Sequence, residues 1–375
     1  MMRVLQVIGV MDRGGAETMI MNLYRAMDRS DLQFDFLVHE QREGDYDAEI
    51  RRLGGRLYRL PRFTGINERT YRKQCRLLFA QHPEWAVVHG HIGSSAPIYL
   101  SEAKRVGCFA IAHSHAQNYQ TGLAGLAFNM VSHPVRRVAD YYMACSREAG
   151  LDRFGRNLVD GDRFSIVPNG IDLSRYVCGD DEHKSAKRDK GLVDMPVFGH
   201  VGRLAPEKNH AFLLQVFAKI HHALPNAVLL LAGRGPLEDE LRAKAAQLGL
   251  GEAVRFLGVC DDVPEILRAM DVFLMPSTSE GLAMAAVEAQ ASGLPCVLST
   301  GVPELALVCS NAHRLSLEEG ASTWAQHALA AYERTRSQPR IDAVEEVREH
   351  GFDIVETSSW LAHFYRRAAL GLTRA

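Results

Sequence analysis

The 375-residue chain has no run of 18 apolar residues and no Cys-x-x-Cys pair, and its net charge of −2 leaves no basic excess. Each absence excludes a class. Without a long apolar run, no helix spans a bilayer. The short apolar start, Val4 to Met11, runs into Gly14-Gly15 and reads as a first strand, not a signal peptide. Seven cysteines leave one over in any full set of disulfides, so reduced cytoplasmic thiols are the simpler reading. A charge near zero argues against a protein coated by nucleic acid. At 47% hydrophobic and 23% charged, the chain is neither a disordered tail, a collagen-like fibre nor a coiled-coil rod. At roughly 100 to 200 residues per domain, the length suggests two domains.

Short apolar runs alternate with helical spacing throughout. Val4–Val10, Phe34–Val38, Ala86–His89, Phe109–Ala112, Tyr141–Ala144 and Ser165–Val167 read as strands, with a helix over Ala16–Met27. A polar stretch, 178–191, is expected to connect two domains. The pattern then restarts with strands at Val197–Val201, Ala227–Ala232, Val254–Leu257, Val272–Met275 and Cys296–Leu298. Helices are expected at Ala211–His222, Leu237–Leu248, Val263–Met270 and Ala283–Ala291. Such alternation implies parallel βαβ units with buried sheets. The expected architecture is α/β: two facing, Rossmann-like, doubly wound domains, 1–175 and 176–356, with a helix over 357–375 packing back on the first. Ligands bind at the carboxyl ends of strands in such sheets, and the cleft between two domains is the default site.

Three segments carry chemistry. The first is Ser279-Glu280-Gly281-Leu282-Ala283-Met284, leading to Glu288. A helix starting near Ala283 would aim free N–H groups and the positive end of its dipole at a phosphate. Glu288 then lies roughly 7.5 Å along the axis. One carboxylate stands before the phosphate position and one beyond it, as the hydroxyls of a nucleotide sugar flank its diphosphate. Read alone, they are equally a capping acid and a solvated helix acid. The second segment, Val201-Gly202-Arg203-Leu204-Ala205-Pro206-Glu207-Lys208-Asn209-His210, leaves a strand and enters a helix. Arg203 and Lys208 can converge there on one anion, and cations on a departing diphosphate stabilise the transition state. Two surface cations on a loop is the plain alternative. The third, Gly14-Gly15-Ala16-Glu17, allows a ligand near the backbone, or is a simple tight turn.

Together these segments resemble the retaining GT-B glycosyltransferases of family 4. The likeness rests on Glu280-x7-Glu288, Gly202-Arg203 with Glu207-Lys208-Asn209-His210, and the GGAE loop at 14–17. It extends to Val167-Pro168-Asn169-Gly170-Ile171-Asp172 and Ala144-Cys145-Ser146-Arg147-Glu148-Ala149-Gly150. His113-Ser114-His115 and Cys145-Ser146 resemble the bacterial capsule and exopolysaccharide branch. The resemblance implies a GT-B fold and sugar transfer from a nucleotide diphosphate sugar, such as a UDP-sugar, to a glycan or lipid-linked hydroxyl, with retention. It implies catalytic roles for Glu280, His113, Arg203 and Lys208, with Glu280 and His113 on the donor sugar. It places Glu288 on the ribose and the N–H groups of Gly281, Leu282, Ala283 and Met284 on the diphosphate, which Arg203 and Lys208 neutralise. Gly14 and Gly15 would close the donor site from the other domain. This chain has Ala283 where many relatives have Pro or Gly, and Thr300 where Asp is common. No cofactor or metal is expected. A nucleotide-sugar 2-epimerase and a non-catalytic nucleotide-sugar binder are the alternatives on this architecture.

His113 and His115 share a face if their strand continues, as do His89 and His91. No cysteine or carboxylate cluster accompanies them, which argues against zinc. The stretch 51–76 holds nine basic residues and one acid, Glu68, within a half of balance +4; the remainder of the chain stands at −6. It is either solvated surface or a dock for anionic lipid, with Tyr58, Phe63 and Tyr71 seated at the interface. The expected place is the cytoplasm, with a peripheral contact at the inner face of the plasma membrane and no nucleic-acid partner.

Overall fold

The computed structural model describes residues 1–115, 130, 132–260 and 262–372. The chain divides into two compact units, Met1–Asp172 with Gly351–Ala375, and Leu173–His350. The divisions fall at 172 and 350 rather than at the expected 175 and 356. The reason is a strand-like crossing: Ile171 N–H donates to Phe352 O at 2.8 Å and Ile354 N–H to Ile171 O at 3.0 Å. The returning segment is tied into the first unit there, before its helix begins. Gly170 is required at this crossing, since a Cβ would lie 2.8 Å from Ile354 Cα.

The first unit contains strands β1 (Met2–Val7), β2 (Leu32–Val38), β3 (Arg56–Arg59), β4 (Trp85–Gly90), β5 (Phe109–Ser114), β6 (Tyr141–Ala144) and β7 (Phe164–Ile166). They form one sheet ordered β3-β2-β1-β4-β5-β6-β7, with every pair parallel. Side chains alternate between two cores. Val4, Phe34, Phe36, Val87 and Ile111 face one side, covered by Ile354, Leu361 and Tyr365 of the last helix, Ile354–Ala369. Leu5, Val7, Leu37, Val88 and Ala110 face the other, with Tyr71 and Tyr99. Trp360 on the last helix is 42% exposed and stacks on Phe364.

The second unit contains β8 (Val197–Val201), β9 (Val228–Ala232), β10 (Val254–Gly258), β11 (Val272–Met275), β12 (Cys296–Ser299) and β13 (Ala312–Leu315). Its parallel sheet is ordered β10-β9-β8-β11-β12-β13. Strand order reverses between β1 and β4 in one sheet and between β8 and β11 in the other, and doubly wound sheets bind ligands at such reversals.

The stretch 178–191 is no linker, because Asp180–Asp189 is a helix of the second unit. Glu182 caps it by accepting from Gly179 N at 2.9 Å, acids fill its first turn and bases its last, and Ala186 is buried. The edge strands β3 and β13 escape a hydropathy reading because each is only half-buried. The basic run is largely neutralised by acids distant in sequence. Arg59 pairs with Asp47, Arg56 with Glu84, Arg51 with Glu43 and Arg52 with Glu49. Buried Glu102 takes both Arg72 and Arg76. Arg62, Arg69 and Lys73 have no carboxylate partner among the described residues and are exposed. The aromatics do not face solvent as an interface would need. Tyr71 is fully buried with its hydroxyl 2.6 Å from His39 Nε2, Tyr58 packs on Trp85, and Phe63 lies against the core.

Candidate functional site

Two loops leave the carboxyl ends of β8 and β11 in the second unit. The first runs from Gly202 through the 3₁₀ turn Pro206–Lys208 to Asn209, whose left-handed backbone (φ 53°) redirects the chain into the helix His210–Ala223. The second runs from Pro276 to Ala283, also left-handed (φ 53°), and opens the helix Met284–Ala291. The loops are joined by backbone and side chain. Thr278 N–H donates to Glu207 O at 2.8 Å. Lys208 Nζ donates to both oxygens of Glu280, at 2.7 and 2.9 Å. The two side chains keep only 17% and 8% of their exposure.

The expected residues are therefore brought together in part. Lys208 and Glu280 form one largely buried ion pair. Arg203 does not join it: its guanidinium reaches Glu207 Oε1 at 2.7 Å and is 69% exposed, so the two cations do not converge. Gly281 is exposed, and a Cβ there would meet nothing within 4 Å; its neighbours do not require glycine. Leu282 and Ala283 are buried. The helix starts at Met284, one residue later than expected, and Ala283 O accepts from Ala286 N at 2.8 Å. The Met284 and Ala285 N–H groups precede any intrahelical acceptor and point from the helix end. Glu288 is half-buried on this helix. Desolvation pushes its carboxyl up to about 7, against a hydrogen bond from the Tyr176 hydroxyl that favours the anion. Tyr176 was not singled out in the sequence; it lies 112 residues from Glu288, in a segment without any motif.

Behind Lys208 stand two buried imidazoles. His200 Nδ1 donates to Leu274 O at 2.8 Å, and its ring lies edge-on to His210 at 4.7 Å. Burial, then the Lys208 charge, lowers His210 to about 4; burial, then His210 and Lys208, holds His200 well below its usual range. Both rings are neutral at pH 7 and leave Lys208 as the local cation.

Gly14, Gly15 and His113 lie in the first unit. Gly14 is the N-cap of the helix Gly15–Ala26 and sits under Glu17, whose Oε2 a Cβ would approach to 2.2 Å; Gly15 has open space around it. His113 is the penultimate residue of β5, 5% exposed, and hydrogen bonds with His89 across 3.0 Å. His91 and His115 are 2.6 Å apart. Ring nitrogens of His89, His91 and His113 come within 4.8 Å of one another, a spacing that a metal ion could draw in. The nitrogens that face a neighbouring ring are used in hydrogen bonds, and His113 Nε2 and His115 Nδ1 are buried without a partner among the described residues. Period-two spacing had put each pair on one face; the register of β4 beside β5 joins the pairs.

Comparison with known proteins accords with this geometry. Residues 13–175 match the family model Glycosyltransferase Family 4, and residues 182–341 match Glycosyl transferases group 1. The putative glycosyltransferase EpsF of Bacillus subtilis (strain 168) is 36% identical over 377 residues, covering 97% of this chain and 96% of that protein. An Escherichia coli UDP-Gal:alpha-D-GlcNAc-diphosphoundecaprenol alpha-1,3-galactosyltransferase is 34% identical over 145 residues, 38% of each chain. The crystal structure of Anabaena HepE in complex with UDP and glucose superposes with a TM-score of 0.77 at 18% identity, covering 98% of this chain and 100% of that one.

The loop bearing Arg203 is held by close backbone packing. A Cβ on Gly235 would lie 2.2 Å from Leu204 O and 2.7 Å from Leu204 N. Gly235→Ala should therefore cost about 1–3 kcal/mol by overpacking, read as a lower urea midpoint at unchanged slope. An unchanged midpoint would show that this loop yields freely.

Proposed function

Because this chain belongs to the glycosyltransferases of family 4 and group 1, enzymes of the GT-B fold and EC class 2.4, we propose that it transfers a sugar from a UDP-sugar to a hydroxyl of a glycan or lipid-linked acceptor, with retention, in surface polysaccharide synthesis. The observation that carries the reading is the Lys208–Glu280 pair at the β8/β11 reversal, beside the free end of the helix Met284–Ala291. The Met284 and Ala285 N–H groups and Lys208 take the diphosphate. Glu280 accepts from sugar hydroxyls and Glu288 from the ribose. Arg203 exchanges Glu207 for phosphate.

The bond from the sugar's anomeric carbon to the diphosphate oxygen breaks, and the electron pair leaves with UDP. The acceptor oxygen bonds to the same carbon from the face that the diphosphate leaves, and its proton goes to a phosphate oxygen. No protein nucleophile is used. The chain positions the reactants and stabilises the leaving charge. The relatives' names and ligands support a nucleotide-sugar donor and a lipid-linked acceptor.

Products formed from UDP-sugars with a lipid-linked oligosaccharide extract test the reading: a new α- or β-glycoside matching the donor's anomer is expected, whereas an epimer or unchanged donor overturns it. Lys208→Met and Glu280→Gln should each lower turnover on the order of 100-fold or more, with UDP affinity nearly unchanged in Glu280→Gln. Each residue is the other's partner, so melting is followed in parallel and the double variant separates charge loss from unfolding.

The ribose contact has a pH signature. Hydroxyls donate to the ionised carboxylate, and Glu288 ionises only through about pH 7. UDP binding should weaken as pH falls below 7, approaching tenfold per unit, and level off above it. Glu288→Gln should flatten the profile; a profile that keeps its slope in the variant would assign the proton elsewhere.

The proposal includes a peripheral lipid contact, now resting on Arg62, Arg69 and Lys73. At about 1 kcal/mol per cation, three give weak binding only. Co-sedimentation with phosphatidylserine vesicles is expected at low salt and lost in Arg69→Gln/Lys73→Gln; none at low salt ends the idea.

A further inference from the structure

Two hydrogen-bonded chains of the first unit start at one side chain, Gln6. Its Oε1 lies 2.8 Å from His91 Nε2, and His91 Nδ1 lies 2.6 Å from His115 Nε2. Its Nε2 donates to the Tyr365 hydroxyl at 3.3 Å. That hydroxyl lies 2.6 Å from His89 Nδ1, and His89 Nε2 lies 3.0 Å from His113 Nδ1. One nitrogen is left at each far end, His115 Nδ1 and His113 Nε2, both buried and without a partner among the described residues. Their rings stack with centroids 4.2 Å apart and line a cavity of about 220 Å³ with Arg153, Gly93 and Ser114.

Neutral imidazole has one N–H and one lone pair, so Gln6 dictates the rest. A carbonyl on His91 makes its Nε2 the donor and its Nδ1 the acceptor. His115 then donates from Nε2 and holds a bare Nδ1. An amide N–H on Tyr365 turns that hydroxyl toward His89 Nδ1. His89 donates from Nε2 to His113 Nδ1, and His113 carries its proton on Nε2. Reversing the Gln6 amide reverses every step. In either orientation, one of the two leftover nitrogens is a donor and the other an acceptor. Burial holds all four rings neutral, with His115 lowered to about 4.

We propose that Gln6, through Tyr365 and the paired histidines, gives His113 Nε2 and His115 Nδ1 opposite hydrogen-bonding character, and that the pair reads a single substrate hydroxyl. A hydroxyl is donor and acceptor in one atom, so it matches one nitrogen of each kind. An anion would leave the bare nitrogen opposed by a lone pair, which selects a neutral polyol face over a phosphate. Gln6 and Tyr365 are positioning residues. The inference rests on sugar transfer only for whose hydroxyl is read, since the tautomers themselves are measured without turnover.

The test is ¹⁵N NMR of the histidine rings in the full chain, with His113 and His115 assigned by His113→Asn and His115→Asn. One protonated and one bare nitrogen are expected at His113 Nε2 and His115 Nδ1; the same state at both overturns the proposal. Gln6→Met, which cannot hydrogen-bond through an amide, should replace the single pattern by tautomer averaging and raise substrate KM on the order of tenfold. An unchanged pattern in Gln6→Met overturns it. If that variant fails to fold, Tyr365→Phe should average His113 and spare His115, and a His113 that stays fixed counts against the relay. Zinc added to the unaltered protein should leave the ring shifts in place; stoichiometric shifts reversed by a chelator would show the inner nitrogens to be metal ligands instead.

Discussion

The ion pair between Lys208 and Glu280 is the constraint on which the candidate site depends. Burying both charges is costly, and their attraction offsets that cost only with good geometry and further hydrogen bonds. The geometry meets the first condition. Lys208 reaches both carboxylate oxygens, and Glu280 N–H donates to Gly301 O at 3.1 Å. Gly301 must be glycine, since a Cβ would lie 2.5 Å from Ser277 O. Ser299 adds its hydroxyl to the same carbonyl. The loops after β8, β11 and β12 are thereby held as one polar layer. The start of the helix Met284–Ala291 follows from it, and with that start the place of Glu288.

Neutral imidazoles surround charges that must stay charged. In the second unit His200 and His210 are kept neutral beside Lys208, so no second cation competes for Glu280. In the first unit four imidazoles form a cluster that would repel itself if charged. Burial is the largest cause of each lowered value, with mutual repulsion behind it for His89, His91 and His113. A buried polar network of this kind is stable only when its members are satisfied. Here all but the two terminal nitrogens are.

The basic stretch shows how far composition is from surface field. Nine cations against one acid suggest a strongly positive face. Folding brings Glu43, Asp47, Glu49, Glu84 and Glu102 to six of them. Glu102 is fully buried and still holds two arginines. The exposed pairs among them add little stability, about 0–1 kcal/mol each, but all of them reduce the positive potential on which lipid steering would rely.

The amino-acid sequence alone determined the two parallel α/β units, because fully buried strands leave unbroken apolar runs that no tertiary contact is needed to read. It also placed Lys208 and Glu280 at strand–helix junctions and Glu288 on the helix that follows, since such junctions carry local signals. The edge strands β3 and β13 and the helix Asp180–Asp189 were hidden, being half-buried or polar. What only the tertiary structure decided was pairing. Nothing local says that Arg203 turns to Glu207 while Lys208 takes Glu280, that Tyr176 reaches Glu288 across 112 residues, or that Gln6 and Tyr365 meet four histidines from two strands. Side-chain partners are set by strand order and register, which bring together residues whose separation along the chain carries no trace of the contact.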